Sequence, residues 1–281
     1  MKKVKIFADS TCDLSPELLE RYEIGIVPLY INMEGKSLRD GIEVDVDMLF
    51  ESFNRTKKLP KTSAPSPGDV LRGFSPYLDE GYEIVHITIN SNFSVSYQNA
   101  CMVASEHAGI YVVDSSTLST SMGLLVIRAA EMAQNGLEAR EIFLRLTELK
   151  KKSVTNFIVD TLEYAYKGGR CSMLTAFGAN LLKLRPCFHI DGNGIMTVIK
   201  KFRGNFSQVA LDYTKYVMSL PNIDYQRLFI SYTQMSEEVL NAVVKCVKEL
   251  SNFKEILITK TGCTIATHGG PNTLALFYMN K

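Results

Sequence analysis

Short segments rich in hydroxyl side chains, Asn, Asp and Gly follow the apolar, β-prone runs of this chain. They are residues 9–11 (DST), 62–66 (TSAPS), 90–94 (NSNFS), 114–116 (DSS) and 262–271 (GCTIATHGGP). Hydroxyls, and the unpaired N–H groups of helices that begin in such loops, bind anions well. In open α/β sheets a ligand lies outside the carboxyl ends of the strands, where these loops fall. A bound anion is therefore one interpretation; the other is that each Ser or Thr caps the helix that follows it.

The common local signatures of catalysis are absent from the sequence. It has no G-x-G-x-x-G and no G-x-S-x-G, and the run Gly35-Lys36-Ser37 has Tyr30 where a phosphate-binding loop needs glycine. The four histidines form no HxxH or HxxxH pair, and the six cysteines form no CxxC pair. We therefore predict no metal, no cofactor and no catalytic residue. His86, inside an apolar strand, and His107, near a helix end, are predicted to be structural.

These loops need a scaffold in which strands and helices alternate. Apolar β-prone runs predict strands at 4–8, 24–31, 83–89, 110–113, 154–159, 187–190, 195–200, 228–232, 256–259 and 273–278. Helices are predicted after Ser15-Pro16, after the strand at 83–89, and over 46–53, 66–78, 120–134, 137–151 and 236–250. Such alternation predicts a layered α/β fold with largely parallel sheets. We expect two α/β domains, 1–153 and 154–281, with a ligand crevice between them.

The composition excludes several classes of protein. A chain of 281 residues with 46% hydrophobic and 22% charged residues is typical of ordered globular proteins with more than one core. The net charge of +1 gives no footprint for nucleic acid. The apolar stretch before Asp9 is too short for a signal peptide, and no run approaches the roughly 18 apolar residues of a membrane span. Scattered thiols without a secretory signal predict a cytoplasmic protein.

The polar loops, taken in order, resemble the motifs of the DegV family along essentially the whole chain. IFADSTCDL is similar to the family's strand followed by D-S-x-x-D-L, LPKTSAPSPGD to its T-S-x-P-S loop, and ITINSNFSVSYQNA to its S-x-x-S segment. VVDSSTLSTSMGLLV, KGGRCS and GCTIATHGGPNTLAL resemble the remaining three motifs. Each motif alone is weak, but six in the right order and spacing make a specific match.

The resemblance implies a fold, a ligand and a set of site residues. The N-terminal domain would share the fold of dihydroxyacetone kinase subunits, and a long-chain fatty acid would lie in the crevice between the domains. By motif position, Thr62 and Ser94 would bind its carboxylate. Ser63, Ser96, Arg170 and His268 would support the head group or dock a partner. That partner would be a separate ATP-dependent fatty acid kinase, which makes an acyl phosphate, and a transient membrane contact is compatible with such a ligand.

Two positions depart from the family motifs. Val95 replaces the glycine that follows the binding serine, which excludes an easy positive φ there and predicts a reshaped loop. Asn272, in the run Asn272-Thr273-Leu274-Ala275, replaces a glycine of the last motif. If those glycines allow a partner to approach closely, the kinase interaction is the property that these changes affect.

Two enzyme hypotheses remain beside the carrier hypothesis. One is a kinase or transferase like the dihydroxyacetone kinases, with His268 as a covalent anchor or base; no nucleotide-phosphate loop supports it. The other is a serine hydrolase that uses Ser94 and His268, for which the sequence shows no third group. Fold analogy alone does not establish either activity.

Overall fold

The computed structural model describes residues 3–170 and 184–281. It is a two-domain α/β structure in which a parallel sheet, a mostly antiparallel sheet and a small third sheet are separated by helices. No helix among these residues combines the length and the apolar character needed to cross a membrane.

The first sheet is parallel and has the strand order β2-β1-β6-β7. Its strands are β1 (Val4–Asp9), β2 (Gly25–Val27), β6 (Glu83–Thr88) and β7 (Ile110–Asp114). The helices of this half are α1 (Pro16–Arg21), α2 (Val46–Thr56), α3 (Pro67–Asp79), α4 (Ser96–Glu106), α5 (Ser119–Gln134) and α6 (Ala139–Leu149). The capping box expected at Ser66 is confirmed, because Ser66 Oγ accepts from the Asp69 N–H and Asp69 accepts from the Ser66 N–H.

The strand predicted over 24–31 is two strands in different sheets. β2 ends at Val27, and β3 (Tyr30–Met33) pairs instead with β4 (Lys36–Arg39) and β5 (Lys61–Ser63) in a three-stranded antiparallel sheet. Pro28 lies between them, and a proline has no N–H to continue a strand ladder. This small sheet places Thr62 beside the second half of the chain.

The second sheet has six strands in the order β10-β9-β8-β13-β11-β12. They are β8 (Ser153–Ile158), β9 (Arg185–Ile190), β10 (Met196–Phe202), β11 (Ile223–Tyr232), β12 (Glu255–Lys260) and β13 (Leu274–Asn280). Only β11 and β12 pair in parallel, so the prediction of largely parallel sheets is wrong for this half. The reason is topological, because the β9–β10 hairpin and the insertion of β13 between β8 and β11 create antiparallel neighbours.

The helices of the second half, within the residues that the structure describes, are α7 (Glu163–Lys167), α8 (Phe206–Met218), α9 (Glu237–Leu250) and α10 (Cys263–Gly269). One helix connects the two halves: α5 is buried around most of its circumference, as a helix between two layers must be. The hydrophobic core around α5 includes Val85 of the parallel sheet as well as Phe229 and Phe277 of the six-stranded sheet.

β8 begins the second sheet at Ser153. The division into 1–153 and 154–281 stays a prediction, because the two halves share this core.

Candidate functional site: a cleft between the two sheets

A cleft lies between the six-stranded sheet and the loops of the parallel sheet, and it encloses about 1000 Å³ including its open mouth. One wall is a face of the six-stranded sheet, formed by Phe157, Phe188, Ala275 and Phe277. Strand register explains this shared face, since Phe157 pairs with both Phe188 and Ala275 on neighbouring strands. Successive side chains of a strand point to opposite faces, so Phe277 returns to the same face as Ala275. This wall is apolar.

The opposite wall consists of residues that follow the parallel strands. Leu29 follows β2, Ile89 follows β6, and Leu118 follows β7, and all three line the cleft. Carboxyl ends of parallel strands meet at one edge of a sheet, which brings residues distant in sequence together. The cleft therefore lies where the order of strands and loops in the sequence predicted a ligand.

The third wall is one face of α10 and the residues just before it. Thr261, Thr264, Ile265, His268 and Gly269 line the cleft. Residues spaced by three and four positions share one side of a helix. The cleft consequently runs alongside the whole of α10, from Thr261 at its start to His268 at its end.

Thr62 and His268 meet at the His268 end of the cleft, where Thr62 Oγ1 lies 3.0 Å from His268 Nε2. Burial, reinforced by the nearby positive charge of Arg170, lowers the pKa of His268 to about 4. The imidazole is therefore neutral near pH 7 and carries one proton. His268 Nδ1 has no hydrogen-bond partner among the described residues, and a buried N–H without an acceptor is costly. The proton is accordingly assigned to Nε2, which donates to Thr62 Oγ1, and the Thr62 O–H has no acceptor among residues 3–170 and 184–281.

Gly168 explains how His268 is held in place. A Cβ on Gly168 would lie 2.2 Å from His268 Nδ1, so no other residue fits against the imidazole without displacing it. Gly168 follows α7, and its N–H donates to the Tyr164 carbonyl. The first glycine of the G-G-R motif thus packs directly against the histidine of the last motif.

Ser94 lies just before α4, and its hydroxyl donates to no group in the described part of the chain. Ser94 Oγ accepts from the Ser96 N–H at 3.2 Å, which supports the first turn of a helix whose N-cap, Val95, provides no side-chain cap. That hydrogen bond uses a lone pair and not the proton. Capping and ligand binding are therefore compatible at Ser94, although the sequence presented them as alternatives.

Arg170 and Ser63 lie at the exposed mouth of the same cleft. Arg170 donates to the Phe93 carbonyl at 3.4 Å and to the Gly168 carbonyl at 3.1 Å. Ser63 Oγ accepts from Asn32 at 3.0 Å. The structure thus brings Thr62, Ser63, Ser94, Arg170 and His268 to one cleft, and their roles toward a head group or a partner stay predictions.

Ser96 differs from the other predicted site residues. Its side chain is fully buried, does not line the cleft, and donates to Asp9 Oδ1 at 2.9 Å. Asp9 Oδ2 accepts from the Ile89 N–H at 2.9 Å, so one carboxylate fixes both ends of the loop that carries Ser94. His86 Nε2 lies 3.3 Å from the same carboxylate. Ser96 is therefore corrected to a residue that positions the loop.

The two departures from the family motifs have different consequences. Val95 has a φ of −82°, so the loop needs no glycine there, and its side chain is exposed. Asn272 has a φ of +54°, a left-handed conformation that Asn adopts more readily than most residues. Its side chain also donates to Asp160 at 3.2 Å. Both substitutions therefore fit the backbone that the structure shows.

Two buried carboxylates at the start of α10 were not found from the sequence. Asp40 accepts from the N–H groups of Cys263 and Thr264 at 2.9 and 3.1 Å. Asp13 accepts from the Gly262 N–H at 2.9 Å and the Ser119 hydroxyl at 2.6 Å, and burial raises its pKa to about 8. Their partners lie more than a hundred residues away in the chain. No local signal could have paired them.

The site is not arranged as a hydrolase. In a serine hydrolase a carboxylate holds the second ring nitrogen of the histidine, whereas His268 Nδ1 faces Gly168 and has no partner in the described part of the chain. A pKa of about 4 also makes His268 a weak base. No group of three or more potential metal ligands occurs among residues 3–170 and 184–281. The arrangement provides hydrogen-bond donors next to an apolar cleft.

Comparison with known proteins identifies the family. The protein-family model described as "Uncharacterised protein, DegV family" matches residues 3–281 of this chain. A fatty acid-binding protein of Thermotoga maritima is 33% identical over 278 residues, 97% of this chain and 96% of that protein. A fatty-acid-binding DegV family protein from Thermus thermophilus has a TM-score of 0.86 at 27% identity, covering 99% of this chain and 100% of that one. A stearic acid-binding protein from Eubacterium ventriosum has a TM-score of 0.83 at 26% identity, covering 100% and 99%. These relatives are described as binding proteins rather than enzymes, and the chain belongs to the DegV family.

Proposed function

We propose that this protein is a carrier that binds one long-chain fatty acid in the cleft. The carboxylate lies at Thr62 and Ser94, and the tail runs between the apolar walls. The observation that carries this proposal is the Thr62 hydroxyl beside a neutral imidazole, with the Ser94 hydroxyl in the same mostly apolar cleft; neither hydroxyl donates to another described residue. The relatives named as fatty-acid-binding proteins support it.

The head group fits the donors that the site offers. A carboxylate removed from water is costly unless it is hydrogen-bonded, and hydrogen bonds to an ionised acceptor are the strong ones. Thr62 and Ser94 each have an O–H without another acceptor in the described contacts. The Arg170 guanidinium at the mouth adds a positive charge. A carboxylate is therefore a better ligand here than an alcohol or an amine.

The tail supplies most of the affinity. Burial of a methylene contributes about 0.8 kcal/mol, so a long acyl chain contributes on the order of 10 kcal/mol before the costs of ordering and association are subtracted. Phe157, Phe188 and Phe277 provide the apolar surface for it. No nucleophile or metal is needed for this role.

Presentation of the bound acid to a separate ATP-dependent fatty acid kinase is a further part of the proposal, and its support is the family resemblance. The exposed mouth carries Ser63 and Arg170, where a partner could reach the carboxylate. Arg170→Ala is expected to retain bound lipid while acyl-phosphate formation with the cognate kinase falls. His268→Ala is expected to lower both, because His268 orients Thr62. Unchanged turnover of the Arg170 variant would contradict this assignment.

Analysis of the purified protein tests the carrier function directly. Organic extraction followed by mass spectrometry is expected to release free fatty acid at close to one molecule per chain. After delipidation, added stearate or oleate is expected to raise the melting temperature, because a ligand that binds only the folded state stabilises it. A lipid-free extract together with no thermal shift from either acid would refute the carrier function.

A further inference from the structure

The loop that carries Ser94, residues 90–94, is joined to the second sheet by a buried hydrogen bond. Asn90 Nδ2 donates to the Gly194 carbonyl oxygen at 2.8 Å. Gly194 lies in the turn between β9 and β10, and Met196, the first residue of β10, lines the cleft. This hydrogen bond therefore connects two segments of the cleft wall that belong to different sheets.

Asn90 shapes the loop as well as joining it to the second sheet. Its side chain is buried and does not line the cleft, whereas Ser94 does. While Nδ2 donates to Gly194, Asn90 Oδ1 accepts from the Asn92 N–H at 2.9 Å. The Asn90 carbonyl accepts from the Phe93 N–H at 2.9 Å, which closes the turn immediately before Ser94. Asn90 is therefore placed to hold the loop and not to contact a ligand.

The turn between β9 and β10 fits closely against the Asn90 side chain. A Cβ on Gly194 would lie 2.7 Å from Asn90 Nδ2, and the φ of Gly194 is +78°, which residues with side chains rarely adopt. Asn92 Nδ2 donates to the same carbonyl at 3.2 Å, so this buried oxygen has two donors. A further hydrogen bond between the loop and the second half, from Arg170 to the Phe93 carbonyl, is longer at 3.4 Å. The contact between Asn90 and Gly194 thus fixes the loop relative to the second sheet.

The proposed carboxylate site is divided between the two halves of the chain. Thr62 and Ser94 belong to the first half, whereas His268 belongs to the second. Thr62 is fixed across the cleft by its 3.0 Å contact with His268, and the loop of Ser94 is fixed across the cleft by the contact of Asn90 with Gly194. A hydrogen bond weakens steeply when the donor moves out of distance or direction. Donation from both hydroxyls to one carboxylate therefore depends on both contacts.

We propose, on the basis of the proposed carrier function, that Asn90 is a positioning residue for the carboxylate site. Its hydrogen bond to Gly194 holds Ser94 at the distance and in the direction from which the Ser94 hydroxyl donates to the ligand carboxylate. Loss of this bond weakens recognition of the carboxylate. It leaves burial of the tail in place, because Phe157 and Phe188 of the apolar wall are fixed by strand pairing within the second sheet.

Asn90→Ser isolates the contribution of this hydrogen bond. A serine hydroxyl still accepts from the backbone N–H two residues later, but it is too short to reach the Gly194 carbonyl. The affinity of delipidated protein for stearate is expected to fall about tenfold, the effect of one hydrogen bond. The affinity for 1-octadecanol, which has the same tail, is expected to fall less, because a neutral oxygen accepts weaker hydrogen bonds than a carboxylate does. Equal losses for the two ligands would show a general change of the cleft and overturn the proposal.

A double-mutant cycle with Ser94 tests whether Asn90 acts through that residue. In a Ser94→Ala background, Asn90→Ser is expected to cause no further loss of stearate affinity, because the hydroxyl that Asn90 positions is gone. Asn205→Ala is the control. It removes the N-cap of α8, where Asn205 accepts from the Gln208 N–H at 2.9 Å, and no residue of α8 lines the cleft. This control is expected to lower the melting temperature and leave both affinities unchanged.

The outcomes separate this inference from the proposed function. Additive losses in the cycle overturn the positioning role, as does an Asn90→Ser variant that melts earlier but binds stearate like wild type. A Ser94→Ala variant with wild-type affinity refutes the assignment of the carboxylate to Ser94, and this inference with it. A wild-type protein that binds no stearate refutes the carrier function itself.

Discussion

Substitution of Thr62 by Val tests the assignment of the carboxylate site most sharply. Valine preserves the shape of threonine and removes its hydroxyl, which accepts from His268 Nε2 at 3.0 Å and has a free proton for the ligand. A buried anion that loses one donor is destabilised by roughly 1–3 kcal/mol. Since about 1.4 kcal/mol is tenfold, fatty-acid affinity is expected to fall by one to two decades.

Ser94→Ala is expected to produce a similar loss of affinity together with a loss of apo stability. The hydroxyl of Ser94 also accepts from the Ser96 N–H, and the loss of such an acceptor at a helix start costs about 1 kcal/mol. Ser66→Ala is the matched control in the same polar loop as Thr62. This substitution removes the cap of α3, where Ser66 Oγ accepts from the Asp69 N–H at 3.2 Å. Ser66 does not line the cleft.

The assay measures stearate affinity by calorimetry beside thermal melting of delipidated protein. Ser66→Ala is expected to lower the melting temperature without changing affinity, whereas Thr62→Val and Ser94→Ala change affinity. In the double variant the two losses are expected to be non-additive, because both hydroxyls donate to one carboxylate. If both variants behave like Ser66→Ala, Thr62 and Ser94 are structural residues and the carboxylate lies elsewhere.

Gly168→Ala is expected to weaken stearate binding to the level of His268→Ala, since its Cβ would lie 2.2 Å from the imidazole; Gly192→Ala, whose nearest contact would be 3.4 Å, is the control and should bind normally. Equal affinities of the two glycine variants would contradict the packing argument. The pKa of His268, about 4 in the fold, lies below the usual 6.5, so the unfolded chain takes up a proton first as the pH falls. Apo stability is therefore expected to decrease from pH 6.5 to 4, by up to about 2–3 kcal/mol more in wild type than in His268→Asn, as measured by urea unfolding. The same slope in both proteins would show that His268 is not the group responsible. Asn272→Val is expected to cost about 1–2 kcal/mol more in thermal unfolding than Asn272→Gly, because a β-branched residue does not tolerate the φ of +54°, whereas both variants lose the hydrogen bond to Asp160.

The sequence by itself determined most of the elements and several of the loops that line the cleft. Apolar runs followed by polar loops predicted the strands and helices of the parallel sheet, because the alternation of strands and helices is a local property of the chain. Ser66 and Asp69 predicted where α3 begins, because a capping box depends on residues only three positions apart in the sequence. α8 was missed even though Asn205 accepts from the Gln208 N–H at its start, a local signal that was present in the sequence.

Only the tertiary structure decided the direction of the second sheet and the chemistry of the site. The pairing of β13 with β8 and β11 joins segments about 120 and 50 residues away, and no local pattern encodes such partners. The 3.0 Å contact between Thr62 and His268 joins residues that are 206 positions apart. The sequence identified both residues through their motifs. The distance between them depends on how the chain folds, and the neutral state of the imidazole follows from its burial. Burial is a property of the folded chain, because it depends on residues that meet only when the two sheets pack together.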